Sequence, residues 1–182
     1  MKASRPGPLE ERVVLVNEKD EELGSMEKLE AHRTGTLHRA FSVFLFDAND
    51  RLLLQRRAFG KYHSPGLWTN TCCSHPRVGE SIMEAAHRRL MEEMGLKASL
   101  EHRFSFAYRA DVGQGLIEHE LDHVLFGRME GRPEPDPAEV MDVRLIDLDD
   151  LEHELHTSPG SYTAWLRACW SEVAAQRAAS RA

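Results

Sequence analysis

Cysteine is scarce: the 182 residues contain three, and Cys72 and Cys73 are adjacent. Such a set makes a poor disulfide framework, so reduced thiols and a cytoplasmic setting are expected. Long apolar runs are missing too. None approaches the roughly 20 residues that span a bilayer, so no membrane partner is expected. The opening Met1-Lys2-Ala3-Ser4-Arg5-Pro6 lacks the apolar centre of a secretion signal. Positive charge is not in excess. The formal net charge of -7 argues against a nucleic-acid partner, although it leaves room for a local basic pocket. The chain shows no internal repeat and no low-complexity block. What is present is ordinary for a globular protein: 41% apolar and 29% charged residues, in a length suited to one domain with a real core. The expected organisation is a flexible stretch 1–11, a single folded domain 12–178 and a flexible tail 179–182, acting as a monomer. The composition after Ala174 (Ala, Arg, Ser) reads as frayed or disordered.

Arg12-Val13-Val14-Leu15-Val16-Asn17 reads as a strand, followed by a polar turn at 18–22. Met26 to His32 predicts a short helix with Lys28 and His32 one turn apart, broken by Arg33-Thr34-Gly35-Thr36. His38 opens the aromatic and β-branched run Arg39 to Phe46, the pattern of a buried central strand. The turn Asp47-Ala48-Asn49-Asp50 leads to a partner strand Arg51 to Gln55, together a hairpin. Arg56, Arg57 and Lys61 fall in a basic loop closed by Ser64-Pro65-Gly66, a candidate phosphate clamp or a plain solvated cluster. Leu100–Tyr108, Leu116–Phe126 and Met141–Ile146 read as strands, and 147–156 and 161–177 as helices. Strands and helices do not alternate regularly, so the expected class is α/β with a mixed sheet.

The most informative stretch is Asn70-Thr71-Cys72-Cys73-Ser74-His75-Pro76 and the helix predicted after Ser81, stopped by Gly95. At roughly 100° per residue, Ile82, Ala86 and Leu90 form its apolar face, and Arg89 and Glu93 lie within about 20° of that face. Surface ion pairing is the plain reading of such a pair. Charges aimed inward are costly to desolvate without a ligand or metal, which favours a functional one. Glu118 and Glu120, two apart on a strand, share a face while His119 points away. A shared cation would turn their repulsion into ligation. His32, His38, His75, Glu118 and Glu120 are then a possible set of nitrogen and oxygen ligands for Mn²⁺, Mg²⁺, Zn²⁺ or Fe²⁺. Glu93 near the basic loop suits a Mg²⁺ ion shared with a diphosphate. Cys73 beside His75 is a structural thiol, a zinc ligand or an acid/base group. Trp165 and Trp170 fit a core.

These motifs carry a resemblance. Gly79-Glu80, Arg88, Leu90, Glu92-Glu93 and Gly95-Leu96 look like a Nudix box in which Ser74 replaces the first glycine and Arg89 replaces a metal-binding glutamate. Together with Leu37-His38-Arg39-Ala40-Phe41-Ser42, Trp68-Thr69-Asn70-Thr71-Cys72-Cys73-Ser74-His75-Pro76 and Ile117-Glu118-His119-Glu120, they closely resemble the type I isopentenyl-diphosphate isomerases. The likeness spans roughly residues 12 to 166. It implies a Nudix-like α/β/α sandwich with a mixed sheet, and a prenyl diphosphate as the small-molecule substrate. It also implies Cys73 and Glu120 as catalytic groups with Tyr108 beside Glu120. His32, His38, His75, Glu118 and Glu120 would hold one divalent ion. Glu93 and the Cys73 carbonyl would hold a diphosphate-associated Mg²⁺. Lys28, Arg57, Lys61 and Arg89 would clamp the diphosphate, and Trp165 would cover the alkene.

The chemistry so implied is coherent. Shifting a double bond in isopentenyl diphosphate needs one proton delivered to an unactivated alkene and another removed, so two acid/base groups must flank one small apolar group. A tryptophan face can stabilise the intervening cation by about 1–2 kcal/mol. Two rival readings remain at this level. One is a Nudix diphosphohydrolase, which would release phosphate or nucleotide. The other is a non-catalytic, metal-stabilised binding module, which would leave Cys73 and the inward Arg89 without purpose.

Overall fold

The run Arg39 to Phe46 builds the centre of the molecule. In the computed structural model, which describes residues 11–180, it forms strand β3 (His38–Phe46), buried on both faces. Alternation sends Phe41, Val43 and Leu45 to one side and Phe44 and Phe46 to the other. The first side packs on helix α2 (Ile82–Met94) through Ala86, Leu90 and Met94. The second packs on helices α3 (Leu148–Thr157) and α4 (Ala164–Ala179) through Leu151, Leu166, Trp170 and Val173. Each fully buried Phe, Leu, Val or Met among these contributes about 1.5–3 kcal/mol. The result is an α/β/α sandwich.

Nine strands make the sheet among the described residues. Strands β1 (Arg12–Val16) and β2 (Glu22–Glu27) form a hairpin at one edge. Strand β4 (Leu52–Arg57) pairs with the short β5 (Trp68–Thr69) and with β9 (Val140–Ile146). Strand β6 (Cys72–Ser74) pairs antiparallel with β3. The long hairpin of β7 (Leu100–Gly113) and β8 (Leu116–Arg128) joins the sheet through a parallel β3–β8 ladder, so the sheet is mixed.

Several expectations are corrected. Helix α1 is Lys28–Thr34, and it ends at the left-handed Gly35 (φ 64°) instead of breaking at Arg33. The hairpin expected between β3 and β4 holds only at its turn, where Phe46 meets Leu52. The two strands then part to pair with different neighbours. Arg56 and Arg57 are the end of β4, not a loop. The last helix starts at Ala164, after a 3₁₀ turn at Pro159–Ser161. The stretch after Ala174 is not frayed. It stays helical to Ala179, because Val173 is buried against the core and the turn that follows continues the backbone ladder. Of the stretches expected to be flexible, residues 1–10 and 181–182 lie outside the described residues, while Ala179 ends the last helix.

Candidate active site

The two histidines flanking α1 are aimed by the backbone. The Glu27 side chain caps the helix by accepting from the Leu29 and Glu30 amides, and Gly35 closes it. Nδ1 of His32 lies 2.7 Å from the Lys28 carbonyl, and Nδ1 of His38 lies 2.8 Å from the Thr36 carbonyl. A carbonyl only accepts, so each Nδ1 carries the proton and each Nε2 presents a lone pair. Both Nε2 atoms are buried and have no hydrogen-bond partner.

Those lone pairs converge on Glu120. The ladder places Tyr108, Glu120 and His38 side by side on β7, β8 and β3. Oε1 of Glu120 is 2.8 Å from His75 Nε2, 3.5 Å from His38 Nε2 and 4.0 Å from His32 Nε2. Bonds of about 2.1 Å to one ion would put neighbouring donors roughly 3 Å and opposite donors roughly 4.2 Å apart, so the set fits a divalent cation. A second group, His32, His63 and Glu118, adjoins it. Burial lowers the pKa of His32 and pulls His75 down to about 3 and His63 to about 2. Neutral imidazoles are the form that binds metal.

The two carboxylates are unequal. The Tyr108 hydroxyl is 2.6 Å from Glu120 Oε2 and 3.0 Å from Glu118 Oε2. Burial, with the Glu120 charge beside it, pushes Glu118 well above the usual carboxylate range. Burial would raise Glu120 as well, but the His38 and His75 imidazoles beside it, the second hydrogen-bonded to it at 2.8 Å, outweigh that and hold Glu120 well below that range.

Around this centre lies a cleft that opens to solvent. Cys73, Glu118 and Glu120 line it together with Arg57, Arg89 and Trp165. Burial pushes the Cys73 thiol well up, so it keeps its proton. Asn70 holds this wall in place. Its amide donates to the Val43 and Cys72 carbonyls at 3.1 and 2.9 Å, and its oxygen accepts from Trp165 Nε1 at 3.1 Å. This is the physical content of the Thr-Asn motif.

The cations of the cleft are occupied by carboxylates. Lys28 Nζ pairs with Glu11 at 2.8 Å, and Lys61 pairs with Glu139. Arg89 meets Glu92 at 2.7 Å, Glu93 at 2.6 Å and Glu139 at 3.3 Å. Arg57 stacks over Trp165, 5.2 Å from its ring centre. Nε of Arg57, Nε of Arg89 and the Tyr62 hydroxyl are buried without a partner. Orphaned donors on a cationic wall are what an oligo-oxyanion would satisfy.

All the residues singled out from sequence gather here. Lys28, Arg57, Lys61, Cys73, His75, Arg89, Glu93, Glu118, Glu120 and Trp165 line the cleft, and His32, His38 and Tyr108 stand directly behind Glu120. The three cysteines are free. No helix among the described residues is long and apolar enough to cross a membrane. Sequence reasoning missed Glu139, His63, Tyr62 and Gln55. The Gln55 amide donates to Glu93 Oε2 at 2.9 Å and to the Thr71 carbonyl at 2.8 Å, orienting Glu93. Its place in a β-branched-poor strand gives no sign of this. The aromatic pair Tyr62-His63 inside a basic loop was the available signal for the other two.

A profile of the NUDIX domain family matches residues 36–166. A protein of Aromatoleum aromaticum named isopentenyl-diphosphate Delta-isomerase 2 is 52% identical over 165 residues, covering 91% of this chain and 87% of its own length. An isopentenyl-diphosphate Delta-isomerase of Serratia proteamaculans is 47% identical, covering 92% of this chain and 93% of its own length. In overall shape, the chain is similar to a crystal structure from Deinococcus radiodurans, with a TM-score of 0.75 at 20% identity over 89% of this chain and 98% of that one.

Proposed function

This chain belongs to the NUDIX domain family and, within it, to the isopentenyl-diphosphate Delta-isomerases, and from that premise we propose how its residues divide the work. The enzyme interconverts isopentenyl and dimethylallyl diphosphate, in isoprenoid biosynthesis, by adding a proton to the alkene and removing another. The observation that carries our assignment is the pair of acid/base groups opening on one cleft, a protonated Cys73 thiol and an ionised Glu120 carboxylate. Each serves as acid in one direction of the reaction and as base in the other. Tyr108, bonded to both Glu118 and Glu120, moves or holds the proton at Glu120 Oε2.

Lys28, Arg57, Lys61 and Arg89 bind the diphosphate, exchanging their carboxylate partners for phosphate oxygens. That fixes the short hydrocarbon end between Cys73 and Glu120. Trp165 walls the hydrocarbon end and offers its π face to positive charge. His32, His38, His75, Glu118 and Glu120 would hold a divalent ion, Mn²⁺, Mg²⁺ or Zn²⁺, and Glu93 with the Cys73 carbonyl would hold a diphosphate-associated Mg²⁺. When bound, the first ion supplies positive charge that keeps the paired carboxylates anionic. The protein acts as a monomer in the cytoplasm, a setting supported by its free thiols.

The hydrolase alternative meets Arg89, which stands where a metal-binding carboxylate is needed and ties up Glu92 and Glu93. Titration calorimetry tests the two-ion assignment. One ion should bind without substrate and a second only with a diphosphate analogue, and Glu93→Gln should abolish only the second. Two tight ions without diphosphate, or loss of the first ion in Glu93→Gln, would contradict it.

A further inference from the structure

A different cluster stands apart from the cleft, on the outer side of the β7–β8 hairpin. His102 and Ser105 are three apart, so a regular strand would send them to opposite faces. The register shift between His102 and Phe104 inserts Arg103 as an extra residue. That bulge brings both side chains to the same side, where Ser105 is directly opposite His123. His123 is an odd number of residues from Glu118, Glu120 and Asp122 or their neighbours' face: it is three from Glu120, so it points away from the catalytic carboxylates.

Three donor atoms meet there as a triangle. His102 Nε2 is 3.0 Å from Ser105 Oγ, Ser105 Oγ is 3.0 Å from His123 Nδ1, and the two ring nitrogens are 3.3 Å apart. Metal bonds of about 2.0–2.1 Å place adjacent donors roughly 2.9 Å apart in an octahedron and roughly 3.3 Å in a tetrahedron. The triangle is one face of such a polyhedron, and its outer side is open, since His102 and Ser105 are exposed.

A carboxylate backs the cluster. Asp20 Oδ2 lies 3.1 Å from His123 Nε2, on the ring's far side. Asp20 adopts a left-handed backbone (φ 63°) and is gripped by Arg39, whose Nε donates to Oδ1 at 2.7 Å and whose terminal nitrogen donates to the Asp20 carbonyl at 2.8 Å. The Asp20 charge lies beside Nε2 without the alignment of a hydrogen bond, and its field favours the proton on that nitrogen and leaves the Nδ1 lone pair facing the triangle. A carboxylate behind an imidazole is the kind of partner that orients ligating histidines.

We propose that His102, His123 and Ser105 form a second, surface divalent-cation site, with Asp20 orienting His123. Two imidazoles and a hydroxyl select a borderline transition ion, Zn²⁺, Ni²⁺ or Cu²⁺, over Mg²⁺. The bound ion ties the start of β7 to β8 and, through Asp20, to the β1–β2 turn.

Zn²⁺ calorimetry on the full chain tests this, comparing wild type with His102→Gln and Asp20→Asn. Ions taken by the catalytic cleft are common to all three proteins, so the difference isolates the surface site. Wild type should bind one Zn²⁺ more than His102→Gln, or bind that ion at least tenfold more tightly. Asp20→Asn should weaken the same ion about 10–100-fold, the usual effect of losing an orienting partner. Isomerase activity at saturating Mg²⁺ should be unchanged in His102→Gln. Equal Zn²⁺ stoichiometry and affinity in wild type and His102→Gln would overturn the proposal and leave a serine hydrogen-bonded between two histidines.

Discussion

Side chains alternate across β6, so Cys72 is buried in the core with Phe41, Val43 and Leu90 while Cys73 opens on the cleft. The two neighbours should therefore respond differently to the same substitution. Cys73→Ala should lose activity by several orders of magnitude with little change in melting temperature. Cys72→Ala should keep most of its activity and lose about 1 kcal/mol of stability. Steady-state kinetics and thermal melts on both variants check this, and equal losses of activity would remove Cys73 from the chemistry. Glu139 supports a second prediction. Burial works to raise its pKa, but the Lys61 and Arg89 charges overcome it and bring it down to about 2. A depressed carboxyl stabilises the fold fully above its ordinary pKa near 4.5, and the contribution is lost as pH falls toward about 2. Glu139→Gln should thus be less stable than wild type at neutral pH, and its stability should fall less steeply below pH 4.5 in denaturant titrations. The sequence displayed the histidines, Cys73 and the paired glutamates because their spacing sits inside motifs. Glu139 was hidden, since a lone acid before a strand has no pattern until the fold sets it against Lys61 and Arg89.

Among the elements, α2 was the most legible, because both its ends are chemically marked. Ser81 accepts from the Glu84 amide while the Glu84 side chain accepts from the Ser81 amide, a complete capping box, and Gly95 closes the helix at φ 65°. Between these ends the apolar face fixes the helix against the sheet, which is why Arg89 and Glu93 reach the cleft. Ser81→Ala should cost about 1 kcal/mol, read as a lower denaturation midpoint. Its effect should fall on stability and leave the KM for the diphosphate nearly unchanged, because the cap lies away from the clamp. Strand β2 was not legible. Its residues, Glu-Leu-Gly-Ser-Met-Glu, carry no apolar alternation and no buried position, and it forms only because β1 offers an edge. Strands β5 and β6, of two and three residues, are too short to show any period. Helix α4 stays ordered through its tail-like end because Val173 is buried, Arg177 lies over the Phe46 ring and pairs with Asp50, and Arg103 bonds Ser180, contacts that the composition does not display.

At the scale of the molecule, the site exists because β3 and β8 lie parallel although far apart in sequence. Their register sets His38 against Glu120, and the β7–β8 hairpin sets Tyr108 on Glu120's other side. Local pattern announced a mixed α/β protein, but nothing local states which strands pair. The divergence of β3 from β4, wrongly expected to form a full hairpin, shows the limit: a turn fixes a reversal, and the partner is chosen by which buried faces match. With that pairing in place, one cleft is lined by the Cys73 thiol and the Glu120 carboxylate, beside a donor set suited to a divalent ion and a wall of cations. The most direct test of this account is incubation of the enzyme with isopentenyl diphosphate and Mg²⁺ in deuterated water, followed by mass spectrometry of both prenyl diphosphates and a phosphate assay. Proton addition and removal at Cys73 and Glu120 predict deuterium in dimethylallyl diphosphate and in recovered isopentenyl diphosphate, with no phosphate released. Phosphate release without deuterated dimethylallyl diphosphate would contradict it and return the chain to hydrolysis.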